Sequence, residues 1–303
     1  MRVISLQATA CAICGPGAAS SELYPANFDL EAFNTSVFSA RRLPDGIRYR
    51  IVRCAKCGLV RSDPVADAAV LAELYTESTF DYDDEVENLK ATYGRCLRLL
   101  ERHGVRKDAL LEIDCGNGFV LEEALAQGYR TVRGVEPSTA AVAKASPQVR
   151  PHLVCDIMRP GLFAPDEFDV ATFFQVFDHL PDPGAVLDEC LRVLKPGGLV
   201  LCLNHNIAAV SARLLRERSP IIDIEHTYLY TPKTLARLFV AHGFRVEQVV
   251  PVYNTYTARY LARLVPLPGA LKARVLKRLG RGAAGQRRLS VPLGNLCLIA
   301  RKP

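Results

Sequence analysis

Apolar and polar positions follow a strand–helix–strand rhythm that is clearest between residues 109 and 136. A short apolar run ends in a turn at residues 114–118 that contains two glycines. A helical pattern follows the turn, and a second apolar stretch, Thr131–Val135, ends at the acid Glu136. This order predicts the first half of a nucleotide-binding, doubly wound sheet.

The turn and the acid carry the candidate binding chemistry of this unit. Gly116 and Gly118 let the backbone approach a ligand closely and adopt positive φ angles. The unpaired amides of the following helix would face that ligand. Glu136 lies 20 residues after Gly116, where a carboxylate can accept both hydroxyls of a ribose.

The rhythm continues to the end of the chain. The fully apolar run Phe168–Phe174 is typical of a strand covered by helices on both faces. Four further strands are predicted at residues 152–155, 199–203, 244–252 and 295–300. Helices are predicted at residues 66–75, 86–103, 139–145, 184–194 and 231–242, with an acidic, aromatic linker at 80–84 and a Lys-Pro-Gly-Gly stop at 195–198.

Two C-x-x-C-G knuckles, separated by 39 residues, mark the N-terminal part of the chain. Four thiolates in two such pairs have the ligand type and local spacing of a structural, tetrahedral zinc site. The alternative is four unrelated buried cysteines. A segment this short buries little apolar area, so metal binding would supply free energy for its folding. The predicted ligands are Cys11, Cys14, Cys54 and Cys57.

The composition indicates a globular protein rather than a disordered or membrane-spanning one. The chain has 303 residues, 49% of them hydrophobic, which indicates a globular protein. Its ten cysteines suggest metal ligation or reduced thiols. No apolar run has the length of a membrane span, and the first residues are too short and polar for a signal peptide, so we expect a cytoplasmic protein.

The positive charge is concentrated in one segment. Residues 259–288 hold nine basic residues and no acid, so the net charge of +6 leaves 6 − 9 = −3 for the rest. The segment is interpreted as a solvated helical hairpin over a sheet edge. A peripheral contact with an anionic membrane or a lipid-linked substrate is an alternative. Sparse aromatic residues argue against nucleic acid.

Five motifs together resemble the class I S-adenosylmethionine (SAM)-dependent methyltransferases over about residues 84–303. They are LLEIDCGNG (110–118), GVEPS (134–138), CDI (155–157), FDVATFFQVFDHLPDP (168–183) and LKPGGLVL (194–201). The resemblance implies an α/β fold with a Rossmann-like, seven-stranded sheet and a small zinc-ribbon-like domain. The implied domains are residues 1–75 and 76–303, with a basic helical insert at 256–290.

The zinc module is similar to that of methyltransferases in sugar and polysaccharide pathways, including nucleotide-sugar C-methyltransferases. Their Glu-His motif followed by aromatics is similar to residues 224–230. The resemblance therefore implies methyl transfer to a sugar or glycan-like small molecule. The alternatives are a degenerate fold kept as a non-catalytic scaffold subunit and an RNA methyltransferase.

The resemblance also assigns cofactor-binding positions. They are Glu112 and the turn residues Asp114, Gly116 and Gly118 for the methionine end of SAM, Glu136 for the ribose, Asp156 for the adenine and Gln175 for the edge of the pocket. The family usually has glycine where this chain has Asp114. Its carboxylate could crowd or repel the methionine carboxylate, or could bond the SAM ammonium.

The base candidates are His226 with Glu225, and His179. A carboxylate neighbour would orient a histidine ring and raise its pKa. His205 follows the fifth strand and lies at the same edge of the predicted sheet. Each of these histidines has a structural alternative, such as a bond to a loop carbonyl.

Overall fold

The computed structural model describes residues 5–27, 46–67, 70, 86–265, 267–280 and 282–303. The strands are β1 (Leu6–Gln7), β2 (Ser20–Tyr24), β3 (Ile51–Cys54), β4 (Val60–Ser62), β5 (Val65–Ala66), β6 (Ala109–Ile113), β7 (Thr131–Val135), β8 (Leu153–Val154), β9 (Phe168–Phe174), β10 (Leu194–His205), β11 (Tyr228–Leu229), β12 (Arg245–Thr257) and β13 (Arg288–Arg301). The α-helices are α1 (Val86–Leu99), α2 (Phe119–Ala126), α3 (Thr139–Ala143), α4 (Pro183–Val193), α5 (Val210–Leu215), α6 (Pro232–Ala241), α7 (Ala258–Leu264), α8 (Gly269–Leu279) and α9 (Ala283–Gln286).

Seven strands form the main sheet, in the order β12-β13-β10-β9-β6-β7-β8. Pairing is parallel from β8 to β10, whereas β13 runs antiparallel to both β10 and β12. The predicted Rossmann-like, seven-stranded sheet is confirmed. The carboxyl ends of β6, β9 and β10 therefore meet at one edge, which is where doubly wound folds bind ligands.

Both faces of this sheet are covered, because its strands are apolar on both sides. One core includes Leu110 and Val170 of the sheet with Leu97 of α1 and Val120 of α2. The opposite core contains Phe173 of β9 and residues of α4 and α6.

A second sheet joins the N-terminal segment to the rest of the chain. Its order is β11-β4-β3-β2, so residues 228–229 extend a sheet built by the knuckle segment. Cys11, Cys54 and Leu59 belong to the same apolar core as Phe177 and Tyr230. The knuckle segment thus packs as part of the main body.

Most predicted elements are confirmed, with shifts at their ends. Helix α6 begins at Pro232 after the N-cap Thr231, whose hydroxyl accepts the Thr234 amide. The stretch at 195–198 does not end a helix as a separate turn. It lies inside β10, where pairing with β9 changes register between Leu194 and Leu199.

The helix predicted at residues 66–75 does not begin at Ala66. Ala66, expected to begin a helix, lies in β5 and pairs with Leu6 of β1. The extended backbone is satisfied there because the Ala66 amide donates to the Tyr49 hydroxyl at 3.1 Å and the Asp67 amide donates to the Ser5 carbonyl at 3.1 Å. Of the remaining residues of that helix, 67 and 70 are described. The others, the 80–84 linker and the expected domain boundary at residues 75 and 76 lie outside the described residues.

The basic segment lies on an arm beyond the main sheet. Strand β13 pairs with β10 only as far as His205 and Asn295, whereas the β12–β13 pair continues to Thr257 and Arg288. The extension projects past the carboxyl end of β10, and α7, α8 and α9 sit at its tip. The basic insert thus stands at the edge that carries the candidate site.

Among the described residues, no helix is both long and apolar enough to cross a lipid bilayer.

Candidate active site

The glycine turn lies at the carboxyl end of β6 and has an unusual backbone. Asp114, Gly116 and Gly118 have φ angles of 52°, 57° and 76°. The Cys115 amide donates to the Val135 carbonyl at 3.0 Å, which ties the turn to β7. Left-handed backbone favours glycine, and aspartate is among the few side chains that tolerate it. This conformation explains why a family with the same turn would use glycine at position 114.

Glu136 lies against this turn. One of its carboxylate oxygens accepts the Gly116 amide and the other accepts the Ser138 amide, both at 2.8 Å. The Ser138 hydroxyl in turn caps α3 by accepting the Ala141 amide at 3.2 Å. The structure thus brings together the turn and the acid that the sequence spacing linked.

Three carboxyl groups converge here. Burial, then the charges of Glu136 and Asp114, raise the pKa of Glu112 well above its usual value. Burial, then Glu136, raises the pKa of Asp114 to about 8. Burial also raises the pKa of Glu136, although its two backbone hydrogen bonds oppose the shift. A ligand with positive charge would relieve this repulsion.

Two buried acceptor atoms beside the turn have no hydrogen-bond partner in the described part of the chain. They are Oε2 of Glu112 and Oδ1 of Asn117. Buried acceptors without partners are costly, so they favour a ligand that supplies donors. SAM carries an ammonium group and a sulfonium, and its charge and donors fit this cluster.

Two further predicted residues, Asp156 and Gln175, follow strands at the same edge of the sheet. Asp156, after β8, is held by Arg159 at 2.7 Å, and this hydrogen bond lowers the pKa of Asp156. Gln175, after β9, has a φ of 58°. Its side-chain oxygen accepts the Tyr93 hydroxyl at 3.1 Å, so α1 closes over this edge.

A cluster of three histidines surrounds Asp178 at the carboxyl ends of β9 and β10. Asp178 is fully buried, and His205 Nδ1 lies 2.6 Å from its Oδ2. Nε2 of His226 is 3.7 Å from the same oxygen, and Nε2 of His179 is 3.7 Å from Oδ1. The rings of His179 and His205 lie 4.8 and 4.9 Å from that of His226.

The hydrogen-bond partners of His205 and His226 determine the tautomer of each ring. A carboxylate and a carbonyl only accept, so His205 donates through Nδ1 to Asp178, and His226 donates through Nδ1 to the Ile221 carbonyl at 2.9 Å. Within the described residues, His205 Nε2 has no hydrogen-bond partner, and 21% of this side chain is exposed. His205 is therefore an oriented imidazole with an available ring nitrogen.

Charge in the cluster is set by the histidines. Burial opposes ionisation of Asp178, but His205, His226 and His179 together hold its pKa well below the usual range. Burial lowers the pKa of His179 to about 3, despite the nearby Asp178 charge. At neutral pH the centre is an ionised Asp178 beside a neutral His179.

The ligand atoms of this cluster are close enough together to coordinate a cation. One ligand atom each of Asp178, His179 and His226 lies within 4.8 Å of the others. Asp178 Oδ1 accepts no hydrogen bond from a described residue. A proton, a bound donor or a divalent cation would satisfy this centre.

Sequence reasoning missed Asp178 and underrated His205. The carboxylate that faces His226 Nε2 is that of Asp178, whereas Glu225 was the expected neighbour. The Asp178-His179 pair directly after an apolar strand was the available signal. Its pairing with His205 depends on the parallel contact of β9 with β10, which no local pattern reveals.

The four predicted zinc ligands are brought together. Their sulfur atoms all lie within 4.8 Å of one another, and those of Cys11 and Cys57 are 3.4 Å apart. Tetrahedral zinc with bonds of about 2.3 Å requires sulfur separations of about 3.8 Å. Backbone amides of Cys57 and Lys56 outweigh the effect of burial and lower the pKa of Cys54 to about 6. The donor set and its spacing fit a closed zinc site.

Comparison with known proteins is consistent with this geometry. The sequence profile described as "Methyltransferase domain" matches residues 84–249. A ubiquinone biosynthesis O-methyltransferase of Pseudomonas fluorescens is 28% identical over 180 residues, covering 53% of this chain and 75% of that protein. One of Thiobacillus denitrificans is 31% identical over 169 residues, covering 50% and 71%.

A solved structure shares the fold. A Bacillus halodurans protein described as a methyltransferase covers 69% of this chain and 98% of its own, with a TM-score of 0.50 and 17% identity. These relatives do not carry the expected sugar-pathway resemblance, since they are named for ubiquinone biosynthesis. The matched domain, the strand order of the sheet and the glycine turn at its edge all indicate the same family. The chain therefore belongs to the methyltransferase domain family and is a class I SAM-dependent enzyme.

Proposed function

We propose that this enzyme transfers the methyl group of SAM to an acidic hydroxyl of a small molecule, with His205 as the general base. The observation that carries the proposal is the 2.6 Å contact between His205 Nδ1 and the buried Asp178. Such a contact fixes the tautomer, orients the ring and stabilises the imidazolium that forms when Nε2 takes a proton.

The reaction balances without another reagent. His205 Nε2 removes the hydroxyl proton, and the oxygen attacks the methyl carbon in line with its bond to sulfur. That bond breaks, its electrons return to sulfur, and the sulfonium becomes the neutral thioether of S-adenosylhomocysteine. The protein's contribution is alignment and one proton acceptor.

For the cofactor, we propose that Glu112 and Asp114 hold the ammonium end, within the turn that includes Gly116 and Gly118. Glu136 would hold the ribose and Asp156 the adenine amine. Isothermal titration with SAM tests this arrangement, with micromolar affinity expected. No heat and no thermal shift would refute it and would revive the scaffold alternative.

The class of acceptor follows from acidity. A phenolic hydroxyl ionises near pH 10, as in tyrosine, whereas an aliphatic sugar hydroxyl is a much weaker acid. A histidine base near neutral pH is better matched to the phenol. The ubiquinone biosynthesis relatives, which are named O-methyltransferases, support the same choice.

The acceptor class is tested by measuring the release of S-adenosylhomocysteine in the presence of defined acceptor molecules. We expect turnover with 3,4-dihydroxybenzoate, a catechol, and none with UDP-glucose. The reverse result would favour the second candidate, a sugar acceptor, for which the sequence motif at Glu225 and His226 is the supporting observation. In that case His226, rather than His205, would be the expected base.

The base assignment has its own test. His205→Gln should lower kcat and leave SAM affinity unchanged, whereas His179→Gln should have the smaller effect because His179 is a weak base. A larger loss for His226→Gln would transfer the role to His226. Activity that rises with added Mg²⁺ or Mn²⁺ and falls with EDTA would favour a cation held by Asp178, His179 and His226.

For the knuckles, we propose one structural zinc ion bound by Cys11, Cys14, Cys54 and Cys57. With four thiolates the coordination is closed, so the metal would stabilise the fold rather than touch a substrate. Metal analysis should find one equivalent per chain. A fully folded, metal-free protein would contradict this role.

For partners, we propose a peripheral contact of the basic arm with an anionic lipid surface or a lipid-linked acceptor. Helix α8 has no buried residue, and Leu271 within it is 45% exposed. Val210 and Leu214 of α5, beside β13, are 73% and 77% exposed. Basic charge with exposed apolar groups suits such a surface.

Co-sedimentation with vesicles tests this contact. Binding to phosphatidylglycerol vesicles but not to phosphatidylcholine vesicles is expected, with loss in Lys277→Glu and Arg278→Glu together. The matched control is Arg53→Glu on β3, an exposed arginine of the zinc module. Equal binding to both vesicle types, or none, would leave the solvated hairpin as the role of the arm.

A further inference from the structure

We infer that the zinc module positions the acceptor-side histidine His226, and that Ser62 is the residue through which it does so. The inference rests on the proposed methyl transfer for its kinetic consequence, but its structural content concerns only the placement of His226.

Ser62 is the direct link. It is the last residue of β4 and is fully buried. Its hydroxyl donates to the His226 carbonyl at 2.7 Å, and its amide donates to the Thr227 carbonyl at 2.9 Å. Two consecutive peptide groups at the histidine are therefore fixed by one residue of the zinc module.

Strand pairing adds to the contact between Ser62 and the His226 segment. Arg61 pairs with Tyr228 and Val60 with Leu229, so β11 is an edge strand of the module's own sheet. On the other side, the amides of Thr227 and Tyr228 donate to the Asp178 carbonyl at 2.9 and 3.1 Å. The segment that carries His226 is clamped between the zinc module and the backbone of Asp178.

Both knuckles reach this clamp. Strand β4 begins three residues after Cys57, and the Leu59 amide lies 3.5 Å from the Cys57 sulfur. The Tyr228 hydroxyl donates to the carbonyl of Ala10, which precedes Cys11, at 3.1 Å. A metal that closes the knuckles thus fixes the two chain segments that hold β11.

The two sides of the site are therefore held by different parts of the chain. The SAM turn lies after β6 and does not depend on these contacts, whereas the position of His226 does. Loosening the module should therefore disturb the acceptor side of the site and leave the cofactor side intact.

The test uses the zinc-loaded full chain and the variants Ser62→Ala and Tyr228→Phe. Ser21→Ala is the matched control, since Ser21 is an exposed serine on β2 of the same sheet. Histidine side-chain NMR signals are recorded for the chain's six histidines, with His226 identified by the signal missing in His226→Gln. Zinc content, SAM affinity and kcat with 3,4-dihydroxybenzoate are measured on the same samples.

We expect Ser62→Ala to retain its zinc and its SAM affinity and to move the His226 signal. It should also lower kcat about tenfold, because the His226 ring lies 4.9 Å from the ring of the base His205 and 3.7 Å from Asp178 Oδ2. Tyr228→Phe should move the same signal by a smaller amount, and Ser21→Ala should move nothing. Unchanged His226 signals in both test variants would overturn the inference, as would a fall in melting temperature without such a shift.

The signal separates this inference from the proposed function. If the wild-type protein transfers no methyl group to any probe, the proposed function fails while the His226 signals still decide the positioning role. If the wild-type protein is active and Ser62→Ala leaves both kcat and the His226 signal unchanged, the positioning role fails alone.

Discussion

Replacing Asp178 by asparagine removes a single charge from the centre of the histidine cluster and keeps the shape of the side chain. The amide oxygen of the new side chain can still accept the His205 Nδ1–H, so the orientation of the ring should survive. The amide nitrogen then takes the place of Oδ1 and can donate towards His179 Nε2, which lies 3.7 Å from that atom. We therefore expect Asp178→Asn to fold.

The expected loss follows from the 2.6 Å separation of His205 and Asp178. A full imidazolium–carboxylate attraction at that distance is worth about 6 kcal/mol at an effective dielectric constant of about 20. The neutral His205 ring already makes a hydrogen bond to Asp178 before proton transfer, worth about 1.5 to 3 kcal/mol, which leaves about 3 to 5 kcal/mol gained in the transition state. That range corresponds to a rate about 10² to 10⁴ times lower, typical of a lost general base.

Single-turnover methyl transfer to 3,4-dihydroxybenzoate at saturating SAM measures this loss. Asp182→Asn is the matched control. It makes the same change in the same loop, at an exposed N-cap whose carboxylate accepts the Ala185 amide at 3.0 Å, and asparagine caps a helix about as well. An Asp178→Asn enzyme that is folded, binds SAM and keeps a rate within threefold of the wild type would refute the reasoning.

Three further predictions concern the cofactor and the metal. The raised pKa of Asp114, about 8, means that the folded protein holds a proton that the unfolded chain releases above about pH 4, so SAM-free stability should fall as pH rises from about 4 to 8. Asp114→Asn should flatten that fall in melting temperature, and an unchanged slope would contradict the assignment. Glu136→Gln should weaken SAM at least tenfold in calorimetry, and equal affinity would remove its ribose role. Cys54→Ser should lose zinc and stability, whereas Cys190→Ser, a buried cysteine outside the knuckles, should keep its metal; equal metal content in both would exclude Cys54 as a ligand.

The position of Asp114 gives a reason to expect SAM binding despite the departure from glycine. The turn keeps the left-handed backbone at this residue, with a φ of 52°. Its carboxyl group adds to a cluster with Glu112 and Glu136 that is short of positive charge. A cationic ligand would relieve the repulsion among these carboxyl groups, so we expect Asp114 to interact with the ammonium end of SAM rather than to obstruct its carboxylate.

The sequence by itself determined the sheet, the turn and the cluster of four cysteines. Each depends on residues close together in the chain: the apolar run Phe168–Phe174, the glycines of the turn and the paired knuckle cysteines. Periodicity and spacing report such local geometry directly, because backbone conformation and burial of one face are set within a few residues.

Only the tertiary structure decided which polar groups meet. The contact of Asp178 with His205 requires two strands to lie side by side, and the bond from Ser62 to His226 joins residues 164 positions apart. Neither contact leaves a local pattern, because its partners are fixed by long-range strand pairing. For that reason the sequence placed the histidines near the correct edge but could not identify the carboxylate that orients them or the module that holds them.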